Sequence, residues 1–150
     1  MPFQFRFARV KSIRELEEDL AQQRLALARQ EEERQAAKLR VAQEQEQLAY
    51  AGYASPRSLA AISLELELRN CHDLANQTLR QTQVREQAVR QVEEDRRDLM
   101  VRMQKVKILQ NLHDRHQEVY HIEELTAEQK VLDEVGSIQQ QRLLKHETRS

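Results

Sequence analysis

The side chains in this chain that could best support metal binding or catalysis are two histidines and a cysteine–histidine pair. His113 and His116 are three residues apart, which would place both imidazoles on one side of a helix. Zinc sites need a third and usually a fourth ligand at matching spacing, and none accompanies them. Cys71 and His72 are adjacent, but neighbouring helical side chains point roughly 100° apart and cannot form a nucleophile–base pair. We therefore predict no metal, no cofactor and no catalytic residue.

The elements that would position any site are predicted to be long helices. Of the 150 residues, 33% are charged and 4% are aromatic, and there are only two glycines and two prolines. Such a chain lacks the turns of an α/β or all-β domain, and its enrichment in Glu, Gln, Arg, Leu and Ala favours helix over disorder. No glycine-rich phosphate loop is present. An enzyme is therefore the least expected class.

Charge and cysteine content limit which partners and which cellular location can be expected. The formal net charge is −1 with both signs intermixed, which indicates neither nucleic acid nor a lipid surface as partner. The single cysteine cannot form an internal disulfide. No apolar run reaches the roughly 20 residues that span a bilayer, and arginines and a lysine interrupt any signal-peptide core. We expect a cytoplasmic protein without direct membrane insertion.

Heptad spacing of apolar residues predicts a coiled coil. The first row comprises Ile13, Leu20, Leu27, Val41 and Leu48, joined by Leu16 and Ala37. The second row comprises Leu64, Leu68, Cys71, Ala75, Thr78, Thr82, Val89, Val92, Leu99, Met103 and Val106, then slips near Leu109 and continues through Leu112, Val119 and Ile122. A slip of three residues changes the local supercoil without ending the helix.

One short stretch, YAGYASPRS at residues 50–58, separates the two rows. Gly52 can end a helix with a positive φ, Ser55 can cap the next one, and Pro56 suits its first position. We predict an all-α fold, a long antiparallel two-helix coiled-coil hairpin with a longer second helix; the alternative is one long bent helix that dimerises. The predicted single domain, 1–150, divides into an extended lead-in at 1–8, helix one at 9–51, a turn at 52–56, helix two at 57–135 and a tail at 136–150 after Gly136.

The predicted arms are unequal in length. Reversal at Tyr53 would place Leu20 near Glu86 and leave the chain from Leu99 to Val135 without a partner of its own, although this part keeps an apolar stripe. An apolar stripe of that length usually marks a partner surface. Self-association in a homodimer is the alternative.

The N-terminus alternates aromatic and polar residues. All three phenylalanines, Phe3, Phe5 and Phe7, fall on alternate positions of PFQFRFARV. Alternation indicates an extended segment and not a helix. The rings could cover the base of the hairpin or form a docking motif, and the two roles are compatible.

Two blocks outside the heptad pattern, FQFRF near the start and EQKVLDE near the end, resemble those of the FliJ family, small coiled-coil components of the bacterial flagellar type III export apparatus. The opening FQFRFARVKSIRELEEDLAQQRLALA resembles the family's F-x-F-x-L-x-x-V start and the charged helix that follows it. KVKILQNLHDRHQEVY and then EQKVLDEVG resemble its K-x-L-x-x-L-x-x-R segment and its E-Q-K-x-L-D-E signature. The phenylalanine alternation and the EQKVLDE block carry most of the weight, because heptads alone create similarity between unrelated coiled coils.

The resemblance implies a non-enzymatic stalk. Family members are antiparallel two-helix coiled coils that resemble the central stalk of rotary ATP synthases, and the end with the termini inserts into the ring of the export ATPase. Their hairpin region contacts the large cytoplasmic domain of the membrane export gate, and they interact with export chaperones. A protein of this kind is cytoplasmic, peripheral at the cytoplasmic side of the cell membrane, and needed for flagellum assembly and motility.

Individual residues carry over where the motifs match. The implied ATPase-binding residues are Phe5, Phe7, Val10, Ile13, Arg14, Lys130, Leu132, Asp133 and Glu134. The acidic pair in this set would meet basic residues of the ring while the leucine packs, or the block would only order the last helical turn. The implied gate-binding residues are Leu48, Tyr50 and Tyr53, although their spacing departs from that of a single helix face.

Two other functions remain open from the sequence. One is the equivalent stalk of a virulence type III secretion system. Such a stalk is less expected to contain the FQFRF and EQKVLDE blocks. The other is a generic dimeric coiled-coil scaffold without an ATPase partner. A tight dimer through Leu109 to Val135 would occupy the surface that a stalk needs, so the oligomeric state separates these functions.

Overall fold

The computed structural model of the chain describes residues 2–54 and 61–149. The described residues form two helices, α1 at Ala8–Ala54 with 47 residues and α2 at Ala61–Arg149 with 89 residues. No strand occurs in these two ranges. The chain divides into two compact units, a hairpin unit at Leu16–Met103 and a terminal unit formed by Met1–Glu15 and Gln104–Ser150. Both helices contribute to both units, and the single domain at 1–150 stays a prediction.

The helices differ from the predicted ones at their ends. Helix α1 continues through Gly52 to Ala54, and neither glycine has a positive φ. Ser55 and Pro56, the predicted cap and first helical residue, lie outside the described residues. Helix α2 was expected to end at Val135, but it runs through Gly136 to Arg149. An interior glycine costs a helix only about 1 kcal/mol relative to alanine, and strong helix formers follow Gly136.

Contacts across the hairpin unit show that the two helices are antiparallel. Gln35 bonds to Gln81, and Arg85 lies 3.7 Å from Glu32 between charged atoms. Nearer the start of α1, Glu17 pairs with Arg102 at 2.9 Å. The residue numbers of the contacting residues increase along α2 as they decrease along α1. The predicted fold class, an antiparallel two-helix coiled-coil hairpin with a longer second helix, is therefore confirmed.

Small and polar side chains form the buried interface of the hairpin unit, here called the inner seam. Successive buried members on α1 are three, four or seven residues apart, as heptad packing requires. The inner seam comprises Ala21, Leu25, Ala28, Gln35, Leu39 and Cys71. The two alanines leave little side-chain volume between the helices at their layers, which allows the backbones to approach closely there.

A polar layer crosses the inner seam at Gln35, which is 7% exposed. The Gln81 amide donates to Oε1 of Gln35 at 2.7 Å, and Nε2 of Gln35 donates to Glu31 Oε1 at 2.6 Å. Both ends of the buried amide therefore have partners. A single polar layer of this kind fixes the register of a coiled coil at some cost in stability.

The first predicted heptad row faces solvent, so that prediction is wrong. Its members in the hairpin unit, here called the outer stripe, are Leu16, Leu20, Leu27, Val41 and Leu48, with 51–73% of each side chain exposed; Ile13 and Ala37 are also exposed. The inner seam lies on a different heptad row of α1, on which alanines alternate with larger residues. Close packing through alanines places the bulkier row outside.

The second predicted row is correct in part. Cys71 is 1% exposed, and Thr78, Val92 and Leu99 are half-buried. Leu64, Leu68, Val89 and Met103 are instead exposed. The predicted register is also wrong, because Arg102 and not Glu86 lies beside the part of α1 that precedes Leu20. The predicted reversal at Tyr53 is wrong as well, because α1 continues through Tyr53 to Ala54.

Candidate functional site

The N-terminal segment and the middle of α2 form an aromatic cluster in the terminal unit. Phe3, Phe5 and Phe7 are half-buried, while the residues between them are exposed, so the segment alternates as predicted. Phe5 stacks edge-on against the rings of His113 at 5.1 Å and His116 at 5.7 Å between centroids. Each such pair adds roughly 0.5–1.5 kcal/mol beyond the area it buries. The cluster therefore holds the N-terminal segment against α2.

The aromatic cluster extends towards the C-terminus as far as Tyr120. Phe3 contacts His113 and Tyr120, each with 5.5 Å between ring centroids, and Phe7 reaches His116 at 6.5 Å. The two histidines that raised the question of a metal site are thus packing partners of phenylalanine rings. Within the described residues no group of three or more His, Cys, Asp or Glu side chains could hold a metal ion.

An electrostatic contact accompanies the aromatic cluster. His113 Nδ1 lies 3.2 Å from Asp114 Oδ1, and Gln110 donates to the same oxygen at 3.0 Å. The hydrogen bond from His113, followed by that from Gln110, holds the pKa of the Asp114 carboxyl below its ordinary value. The contact with the Asp114 carboxylate therefore helps to fix the orientation of the His113 ring.

Beyond Tyr120, α2 continues as a single exposed helix, here called the C-terminal extension. Every described residue from 121 to 149 is exposed. At 1.5 Å per residue the extension is about 40 Å long. The predicted unpartnered part began at Leu99, but Leu99, Val106 and Leu109 are half-buried. The start was placed too early for two reasons. Helix α1 pairs with residues further along α2 than the predicted register allowed, and the phenylalanine segment contacts α2 as far as Tyr120.

Large apolar side chains remain on the C-terminal extension. Eight of them have about half or more of their surface exposed, which is unusual for so short a stretch of helix. They are Ile122, Leu125, Val131, Leu132, Val135, Ile138, Leu143 and Leu144. Because 3.6 residues make one turn, they lie on more than one side of the helix. The extension can therefore contact partner surfaces around much of its circumference.

The predicted ATPase-binding residues all lie in the terminal unit but do not form one patch. The rings of Phe5 and Phe7 belong to the aromatic cluster, whereas Val10 and Ile13 on α1 are exposed and Arg14 is half-buried. The second block begins ten residues beyond Tyr120, or about 15 Å further along the helix. The sequence motifs thus mark two neighbouring surfaces of the unit.

The second block surrounds the helix. Lys130 and Glu134 are one turn apart and share a side, and Asp133 is close to it. Leu132, 66% exposed, projects from another side. Gln129 donates to Asp133 at 3.1 Å, which holds the carboxylate in place. This arrangement suits contacts on several sides at once.

The predicted gate-binding residues lie near the end of α1 in the hairpin unit. Tyr50 and Tyr53 are 41% and 37% exposed and share one side of the helix, because α1 continues through both. Leu48 is 73% exposed but projects from roughly the opposite side. The structure therefore joins the two tyrosines and separates the leucine from them.

The fold and these exposed surfaces define a coiled-coil interaction protein, in which a two-helix scaffold presents apolar and aromatic side chains to solvent. The family model described as flagellar FliJ protein matches residues 3–145, and the chain belongs to this family. It is thus a component of the flagellar protein export apparatus, from a family of non-catalytic components. No curated protein and no solved structure shows a significant match to the chain. In the described residues, no helix is long and apolar enough to cross a membrane.

Proposed function

We propose that this protein is the stalk of the flagellar export apparatus, binding the export ATPase ring through its terminal unit. In this role the protein couples the ring to the export gate and to subunits delivered by chaperones. Flagellum assembly and motility depend on that coupling. A peripheral position at the cytoplasmic side of the cell membrane is part of the same proposal. The family match and the motif resemblance support it.

The exposed apolar side chains of the C-terminal extension give the main support for this proposal. A helix that exposes apolar side chains on more than one side is stable in water only at a cost, and a surrounding partner would remove that cost. A ring with a central bore is such a partner, because it can contact all sides of a single helix. The block from Lys130 to Glu134 supports this geometry, since its charged side and Leu132 face different directions.

A charge-reversal experiment tests ring binding. The variant Asp133→Lys with Glu134→Lys should lower the affinity for the purified export ATPase at least tenfold, because the acidic side would now repel basic residues of the ring. The matched control is Glu93→Lys with Glu94→Lys, an exposed acidic pair on α2 in the hairpin unit. Titration calorimetry and stimulation of ATP hydrolysis measure both variants. Unchanged binding by the first variant would contradict the proposal.

The paired tyrosines at the end of α1 support a contact with the export gate. Aromatic side chains that are partly exposed and share one helix face are typical anchors of protein interfaces. Tyr50 and Tyr53 meet both conditions, whereas Leu48 lies on another side. We propose that the tyrosines make the principal gate contact and that Leu48 contributes less.

Alanine substitution separates these contributions. The variant Tyr50→Ala with Tyr53→Ala should keep its helicity by circular dichroism and lose most of its binding to the cytoplasmic domain of the gate. Leu48→Ala is the control from the same turn region and should bind nearly as well as the unchanged chain. If the tyrosine variant lost helicity instead, the tyrosines would be packing residues and the gate contact would lie elsewhere.

A further inference from the structure

One face of α2 in the terminal unit continues from a half-buried row into solvent without a break in spacing. Val106, Leu109, His113 and Tyr120 are half-buried and recur at intervals of three, four or seven residues. After Tyr120 the same face continues at intervals of three or four, from Glu124 to Arg149. These exposed residues, here called the C-terminal stripe, prolong an interface that α2 already uses within the unit.

The first two thirds of the C-terminal stripe change from acidic to apolar. Glu124 and Glu128 come first, and Val131, Val135 and Ile138 follow, with 47–58% of each apolar side chain exposed. From Glu128 onwards the members alternate between three and four residues apart, which is the spacing of a coiled-coil seam. The apolar part alone is too short to hold a partner strongly.

The last third of the C-terminal stripe is basic. Arg142, Lys145 and Arg149 occupy it, and all are exposed. The stripe therefore reads acidic, apolar and basic from its beginning to its end. A surface with this order is complementary to itself when a second copy runs in the opposite direction.

We propose that the C-terminal stripe pairs with the same stripe of a second copy of this chain in an antiparallel, two-fold symmetric coiled coil. With Val135 opposite Ile138 of the second copy, Glu128 lies opposite Lys145 and Glu124 lies opposite Arg149. In each facing pair, an a position of one helix then meets a d position of the other, as antiparallel coiled coils require. A parallel pair would instead place glutamates opposite glutamates, which is unfavourable.

The dimer is weak and reversible, because its apolar centre is short and its charged ends are exposed. Surface ion pairs contribute roughly 0.2–1 kcal/mol each and weaken with salt. The pairing goes beyond the proposed stalk function, and it would occupy one side of the extension that a ring would surround. Dimerisation therefore holds the extension in a form that competes with other partners.

Sedimentation velocity of the full chain tests the proposal without any other partner. The unchanged chain should show a concentration-dependent dimer that weakens at high ionic strength. Variant A, Glu124→Lys with Glu128→Lys, and variant B, Lys145→Glu with Arg149→Glu, should each dimerise at least tenfold more weakly. An equimolar mixture of A and B should dimerise about as tightly as the unchanged chain, since opposite charges then meet at both ends. Recovery in the mixture shows that each variant is folded.

The matched control carries the same charge change away from the C-terminal stripe. Glu118→Lys with Glu123→Lys alters two exposed residues of α2 and should leave the dimer unchanged. A chain that stays monomeric up to its solubility limit would overturn the proposal. So would a dimer that both A and B leave intact, which would assign self-association to another surface such as the outer stripe. A mixture much tighter than the unchanged chain would show parallel pairing and overturn the antiparallel arrangement.

Discussion

The inner seam and the outer stripe occupy the same helix but contain opposite kinds of side chain. Leu25 on the inner seam is 6% exposed, whereas Leu27, two residues further along, is 65% exposed. The inner seam otherwise consists mainly of alanines and a glutamine, while the outer stripe consists of leucines and a valine. The larger apolar side chains of α1 are thus mostly on the side away from α2.

This difference separates the residues that hold the hairpin together from residues of the same helix that are exposed to solvent. Burial of apolar area is the main favourable term in folding, so a seam of small residues gives a hairpin of modest stability. Exposed leucines at regular spacing contribute little to that stability and are typical of interaction surfaces. Substitutions on the two rows should therefore have different effects.

The largest expected effect comes from the paired leucines. Leu25→Ala should lower the free energy of unfolding by about 2–3 kcal/mol, because a buried leucine leaves a cavity when shortened. Leu27→Ala, the matched control, should change it by less than about 0.5 kcal/mol, as exposed sites usually do. Urea denaturation followed by circular dichroism measures both. Equal losses would show that the outer stripe is buried in solution, by self-association for example.

A smaller effect is expected from the polar layer. Gln81→Ala removes the donor to Oε1 of Gln35 and leaves a buried acceptor without its partner, which should cost about 1–2 kcal/mol. Gln83→Ala, an exposed neighbour on α2, is the control and should be close to neutral. The double variant Gln35→Leu with Gln81→Leu should recover the lost stability but weaken the register. A fully neutral Gln81→Ala would mean that the layer does not position the helices.

The smallest effect concerns pH. The hydrogen bond from Gln35, followed by that from Arg34, holds the pKa of Glu31 below its ordinary value of 4.5. Its stabilising contribution is therefore fully present above that value and is lost as the pH falls through the lower folded pKa. Glu31→Gln should destabilise the hairpin more at neutral pH than at pH well below 4. Thermal unfolding of Glu33→Gln, an exposed control, should show no such difference.

The helical fold class could be predicted from composition, but the choice of interface could not. Two heptad rows run along α1, and the row with the larger residues was the more conspicuous. The row through Ala21, Leu25, Ala28 and Leu39 is equally regular in the sequence. Its alanines are the signal that was missed, because close approach of two helices requires small side chains.

The candidate site could be predicted in outline only. The phenylalanine alternation indicated an extended segment, yet its partners His113, His116 and Tyr120 became apparent only in the fold, since aromatic contacts between distant residues leave no local pattern. The beginning of the unpartnered helix depended on the register. That register follows from the contacts of Gln35 and Glu17, which no periodicity in the sequence specifies.

The burial of Cys71 has a practical consequence for following the opening of the hairpin. This single thiol is 1% exposed and lies on the inner seam. A reagent that modifies thiols must therefore wait until the two helices separate locally. The rate of labelling at Cys71 therefore reports how often the two helices of the scaffold separate.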